Sequence, residues 1–181
     1  LVNRYSACGE DEDAVSMALT VMHRLMRRSG ICAEQVGKLQ VGSSSLLDRS
    51  KSMKSELMAL LEGGGSADVE GVDGYTADHG GMAALIDCTC WVQGAWWDGR
   101  WALSVCSDAT STTAEGPAGG GAAALAMLVG TAAPLPLMRV CGHGLTHEFG
   151  LSHSTPWQSL YALRDGLHAV ALNGFANSLS S

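Results

Sequence analysis

The stretch Val69-Glu-Gly-Val-Asp-Gly-Tyr75-Thr-Ala-Asp78-His-Gly-Gly81-Met82 decides the fold. Its residues up to Tyr75 predict a short strand, Thr76 to Gly81 a tight turn, and Met82 to Trp96 a buried helix. A strand that passes through a sharp turn into a helix lifts the central side chain toward a cleft and aims helix-terminal N–H groups at it. A residue placed there can act on a substrate that develops negative charge. For a lone Gly pair, a turn with close packing is the commoner reason.

Upstream, Glu10 to Arg28 predicts a helix. Acidic Glu10 to Asp13 open it, Arg24, Arg27 and Arg28 close it, and Ser29-Gly30 supplies the stop. Ala14, Met17, Ala18, Val21, Met22, Leu25 and Met26 recur at helical spacing. A strand follows at Lys38 to Val41, then a small-residue loop, Gly42 to Ser45. A second helix runs from about Ser50 to Glu62 and stops at Gly63-Gly64-Gly65. Downstream, the turn Trp97-Asp-Gly-Arg100 leads into a strand, Trp101 to Cys106. The Gly-rich loop 116–121 precedes another strand, Ala122 to Val129. Beyond Ala132 the pattern weakens, with one more helix expected over Trp157 to Leu172. Helices alternating with short strands imply an α/β layer arrangement.

Bulk properties fit a globular domain. The chain has 181 residues, 46% of them hydrophobic and 16% charged, enough to bury a core. A formal net charge of -7 argues against a nucleic-acid surface, which needs a clustered basic face. The basic groups at Arg24–Arg28 and Lys51–Lys54 read as solvated helix faces. Six cysteines (Cys8, Cys32, Cys88, Cys90, Cys106 and Cys141) form no CxxC pair, so no metal site is expected. Reduced, mostly buried thiols in a cytoplasmic protein are the simplest expectation. No apolar run reaches the length of a membrane span and no signal pattern opens the chain. Leu1 in place of Met suggests a missing or processed beginning.

The order of segments resembles a known family. Glu12-Asp-Ala-Val-Ser-Met17, Gly37-Lys-Leu-Gln-Val-Gly42 and Asp48-Arg-Ser-Lys-Ser-Met-Lys54 resemble 3-hydroxy-3-methylglutaryl-CoA synthases, as do Asp68-Val-Glu-Gly-Val-Asp73, Trp97-Asp-Gly-Arg100 and Ala114-Glu-Gly-Pro-Ala118. The likeness runs from about residue 10 to 138. It implies a thiolase-like layered αβαβα fold, about one half of it present and its opening strand lacking. Residues 1–138 would form the amino-terminal domain, and 139–181 a divergent or truncated continuation. The implied family reaction condenses acetyl-CoA with acetoacetyl-CoA in the mevalonate pathway, with no metal or redox cofactor. A cysteine takes the acetyl group, a glutamate acts as acid/base, and a histidine positions the second substrate.

Carried over position by position, Asp78 stands in place of the cysteine and Ser44 in place of the glutamate, while His153 in Ser152-His-Ser-Thr-Pro-Trp157 matches the histidine segment with an inserted Thr. The loops 108–115 and 118–121, which flank the acyl site in the family, also depart from its pattern. The neighbouring thiols Cys88 and Cys90 lie too far along the helix to substitute. A carboxylate attacking a thioester gives an unstable mixed anhydride, and an unassisted hydroxyl is no base at neutral pH.

Three readings follow: an enzyme with altered chemistry, such as thioester hydrolysis with Asp78 as base; a non-catalytic relative that binds acyl-CoA or pairs with an active partner; or a degenerate fragment. The second and third together outweigh the first. An incomplete sheet leaves an edge to be covered, so the expected assembly is a homodimer or a pairing with a fuller thiolase-fold chain. The helix Met82 to Trp96 and its nearby Trp residues are candidates for that interface.

Overall fold

The computed structural model describes residues 6, 8–76, 79–109 and 121–137. The chain divides into two compact units, one up to Thr131 and one from Ala132. The second contributes only residues 132–137 to the description. Asp78, Cys141, His153 and the helix expected over 157–172 lie outside the described residues, as does most of the Gly-rich loop.

The first unit is a four-stranded sheet between helices. In chain order its elements are α1 (Ala14–Ser29), β1 (Val36–Gly42), α2 (Met53–Glu62), β2 (Asp73–Gly74), α3 (Gly80–Gln93), β3 (Trp101–Ala109) and β4 (Ala122–Val129). The strand order is β2-β1-β3-β4. β1 pairs in parallel with β2 and β3, and β4 runs antiparallel to β3 from Ala109↔Ala122 to Ala102↔Val129. From β1 the chain steps one way along the sheet to β2, then back past β1 to β3. Right-handed crossovers in opposite directions put their helices on opposite faces.

The side-chain alternation shows both faces in use. Leu39, Val41, Leu103 and Val105 join Ala18, Met22, Leu57 and Leu61 of α1 and α2 in the main core. On the other face Lys38 and Gln40 meet α3, where the Lys38 ammonium stands over the Trp91 ring and the Gln40 amide reaches Asp87. All seven residues of β1 are buried, as expected for a parallel strand covered on both sides.

Several predicted boundaries move, each for a local reason. The acidic run before α1 lies ahead of the helix and not in its first turn; Asp13 caps it, accepting the Ser16 N–H at 2.7 Å. Gly30, at φ 69°, ends it in the left-handed conformation that Gly tolerates best. The strand expected over Val69 to Tyr75 shrinks to Asp73–Gly74. Gly71 has φ 143°, and a Cβ there would fall 1.8 Å from the Leu39 carbonyl oxygen, so the backbone crosses β1 too closely to pair regularly. The Val72 N–H turns instead to the Gln40 side chain, 2.7 Å away. α3 starts two residues earlier and stops three earlier than expected, and β3 continues past Cys106 to Ala109.

Two expectations about side chains are corrected. Among the described cysteines only Cys88 is buried, while Cys32 and Cys90 are exposed and Cys8 and Cys106 half-buried. Cys32 follows the end of α1, and Cys90 lies on the exposed side of α3 between the buried Cys88 and Trp91. Lys54 is no solvated charge: it is half-buried and its ammonium donates to the Val69 carbonyl at 2.8 Å.

Candidate active site

The carboxyl ends of parallel strands are where an α/β sheet leaves room for a ligand. Here β1 and β2 finish together at Gly42 and Gly74, level with Cys106 of β3, which runs on to Ala109, and α3 begins beside them. The approach is possible because the residues are small. A Cβ on Gly42 would sit 2.2 Å from the Gly80 carbonyl carbon, and one on Gly81 would sit 2.8 Å from Cys106 Cβ. The Gly74 carbonyl accepts the Ser43 N–H at 3.0 Å, fastening the end of β2 to the loop after β1.

That loop, Ser43-Ser44-Ser45, is held by a single carboxylate. Asp108 Oδ1 accepts the Ser44 N–H at 2.7 Å, the Ser44 hydroxyl at 3.0 Å and the Ser45 hydroxyl at 2.9 Å. The Ser45 hydroxyl in turn accepts the Ala109 N–H at 2.8 Å, and Arg49 donates to the Ser44 carbonyl at 3.3 Å. Hydrogen bonds to an ionised acceptor are among the stronger ones, so a run of serines that would otherwise be loose acquires one geometry.

Of the three sequence-predicted site residues, the structure places Ser44 at this corner. Asp78 is two positions before the first residue of α3, and its side chain, like His153, is outside the described residues. His79 is the N-cap residue of α3. The sequence reading sets Asp108 at the start of a loop flanking the acyl site but gives it no role, because β3 was expected to end at Cys106. The legible signal was an acidic residue in register just past a strand end that faces a serine loop.

Cys106 was given no role either, although its thiol lies beside the start of α3. Its Sγ lies 3.1 Å from the position a Gly81 Cβ would take. Burial and then Asp108 push its thiol above the ordinary range, so it stays protonated at neutral pH. Cys88 faces the sheet, with its thiol 3.5 Å from the Leu103 carbonyl, and burial pushes it up to about 12. Neither is set up as a thiolate nucleophile. Among the described residues no group of three or more His, Cys, Asp or Glu side chains gathers to hold a metal. A cleft of about 540 Å³, lined by Lys38, Glu70, Asp87, Trp91 and Trp96, opens at the far end of α3 and away from this corner.

Known proteins share both the sequence and the arrangement. The family described as "Hydroxymethylglutaryl-coenzyme A synthase N terminal" matches residues 2–134. A cytoplasmic hydroxymethylglutaryl-CoA synthase of Gallus gallus is 45% identical over 161 residues, 88% of this chain and 31% of the relative. A mitochondrial hydroxymethylglutaryl-CoA synthase of Rattus norvegicus is 42% identical over 135 residues, 74% of this chain and 27% of the relative. Among solved structures, MvaS in complex with 3-hydroxy-3-methylglutaryl coenzyme A superposes with a TM-score of 0.60 at 31% identity, over 66% of this chain and 28% of that one. The chain therefore spans about a third of the length of the relatives it matches. The matched stretch takes in every strand and helix of the first unit, and the chain belongs to the hydroxymethylglutaryl-CoA synthase family.

Proposed function

We propose that this chain keeps the acyl-CoA-handling scaffold of its family and does not carry out the condensation of acetyl-CoA with acetoacetyl-CoA. The observation that carries the reading is Ser44. It occupies the position of the family's acid/base glutamate, and its hydroxyl is bound to Asp108 Oδ1 at 3.0 Å. Such a hydroxyl cannot take a proton from an acyl methyl group near neutral pH. In the sequence, Asp78 replaces the cysteine that would carry the acetyl group. A thiolate exchanges with a thioester at little energetic cost, whereas a carboxylate would have to form a mixed anhydride. Losing two groups that act together costs orders of magnitude in rate.

The ligand of the scaffold is then an acyl-CoA, bound without lasting covalent transfer. The protein acts in the cytoplasm, as a homodimer or beside a fuller thiolase-fold chain that completes the cleft. Both points extend the reading, since the relatives include cytoplasmic and mitochondrial forms.

The test is incubation of the purified chain with acetyl-CoA labelled in the acetyl group, followed by mass spectrometry for an adduct and equilibrium dialysis for binding. Saturable binding without an adduct is expected. A stable acetyl adduct would overturn the reading, and release of free CoA without an adduct would replace it with thioester hydrolysis. Failure of the chain to fold would reduce it to a degenerate fragment. The companion variant Asp78→Cys with Ser44→Glu is expected to gain covalent acetylation.

A further inference from the structure

We propose that Asp73 is the positioning residue of this corner, holding the loop that carries Ser44 against the strand that runs into α3. Its two carboxylate oxygens take the first two N–H groups of α2. Met53 N donates to Oδ2 at 2.6 Å and Lys54 N to Oδ1 at 2.9 Å. The Tyr75 hydroxyl donates to Oδ2 at 2.9 Å and fixes the carboxylate from its own strand.

A helix that needs only a start signal finds it locally, as α1 does in Asp13, three residues before the N–H it satisfies. α2 has a local cap as well, but Ser52 accepts the Ser55 N–H at a long 3.4 Å. The short, charge-assisted bonds come from a residue 19 and 20 positions away. Asp73 therefore ties two segments together. One is β2, whose Gly74 carbonyl binds Ser43 and also touches the start of α3. The other is α2, whose head is joined to the 43–45 loop by residues 46–52. A second bond of the same kind, from the Lys54 ammonium to the Val69 carbonyl at 2.8 Å, closes the clamp. Backbone bonds with Gly37, Leu39, Val41 and Ser43 fasten the 70–74 segment to β1 and its following loop, so Asp73 carries the hold on this fixed segment across to α2.

This inference rests on reading the Ser44–Asp108 corner as the active-site corner, but its test needs no activity. The full chain carrying Ser44→Cys gains a thiol beside the Asp108 carboxylate, which holds its titration above the ordinary thiol range of about 8.5. Its alkylation by iodoacetamide is followed against pH, with peptide mass spectrometry separating it from the native thiols. Adding Asp73→Asn is expected to let the loop leave Asp108, lowering the midpoint by about one unit and raising alkylation below it about tenfold. Tyr75→Phe, which leaves both α2 bonds intact, is expected to move it the same way by two- to threefold, on the order of a third of a unit. Ser52→Ala, which removes the local cap of α2, should lower the melting temperature and leave the pH profile in place. An unchanged profile in Asp73→Asn or in folded Tyr75→Phe, or an equal shift in Ser52→Ala, overturns the proposal. Absence of acyl-CoA binding would defeat the functional reading alone.

Discussion

Cys88 shows how one residue's surroundings set its chemistry. It lies fully buried between α3 and β3, and burial, only partly offset by the Lys38 charge and a hydrogen bond from the Gln40 backbone, pushes its thiol up to about 12. In the unfolded chain the same thiol titrates near the ordinary value, so the folded state favours the neutral form. The stabilisation is complete below pH 9 and is lost as pH rises through the window from about 9 to 12. Chemical denaturation at stepped pH should show stability falling there by up to about 1.4 kcal/mol per pH unit. Cys88→Ala should remove that part of the slope. At pH 8 iodoacetamide should modify Cys32 and Cys90 and spare Cys88 until urea unfolds the chain. The sequence marks Cys88 as a helix residue, but whether it faces the sheet depends on the rotation of α3, which no local signal states.

At the scale of elements, the decisive contact is the seating of α3 on the ends of β1 and β2. Gly42 and Gly80 let the two backbones approach so closely that a Cβ on Gly42 would lie 2.2 to 2.4 Å from three backbone atoms of Gly80 and Gly81. Backbone cannot rotate away as a side chain can. Gly42→Ala is therefore expected to cost about 3 kcal/mol or more, at the upper end for overpacking, and to displace the Ser43–Ser45 loop. Urea unfolding measures the first effect, and the chemical shifts of the Ser43 and Ser44 amides the second. Gly30→Ala is the natural comparison, since a Cβ there meets nothing and only the positive φ is at stake; its cost should stay near 1 kcal/mol. Strand and helix types were legible from periodicity, and β4 was read with both ends correct. The length of β2 was not, because the Gly71 crossing is set by β1, more than thirty residues earlier in the chain.

For the whole molecule, α3 is the element that stands out. It is apolar on most sides, as a helix covered by two layers should be. Among the described residues one side of it is buried, through Ala84, Leu85, Cys88, Trp91 and Val92. Ile86 is 42% exposed, and Trp96 just beyond the helix is 90% exposed. Among the described residues this face is expected to be open to solvent. It should enhance the fluorescence of an apolar dye such as ANS while still folded, and Ile86→Glu should reduce that signal with a change in stability within about 0.5 kcal/mol. A dye signal that appears only on unfolding would show the face to be covered. Among the described residues no helix is long and apolar enough to cross a membrane.

By itself the sequence determined the family and the succession of helices and strands. Each of these is carried by residue type and spacing along the chain. Tertiary structure decided what Ser44 is bound to, which thiols are buried, and why Asp73 matters. Asp108 lies 64 residues from Ser44, and Asp73 about 20 from the N–H groups it accepts. Such partners are chosen by strand order and by the face on which each crossover helix lands. A hydrogen bond between distant segments leaves no period in the sequence, and so the corner became visible only once the ends of β1 and β2 were seen beside the last residues of β3.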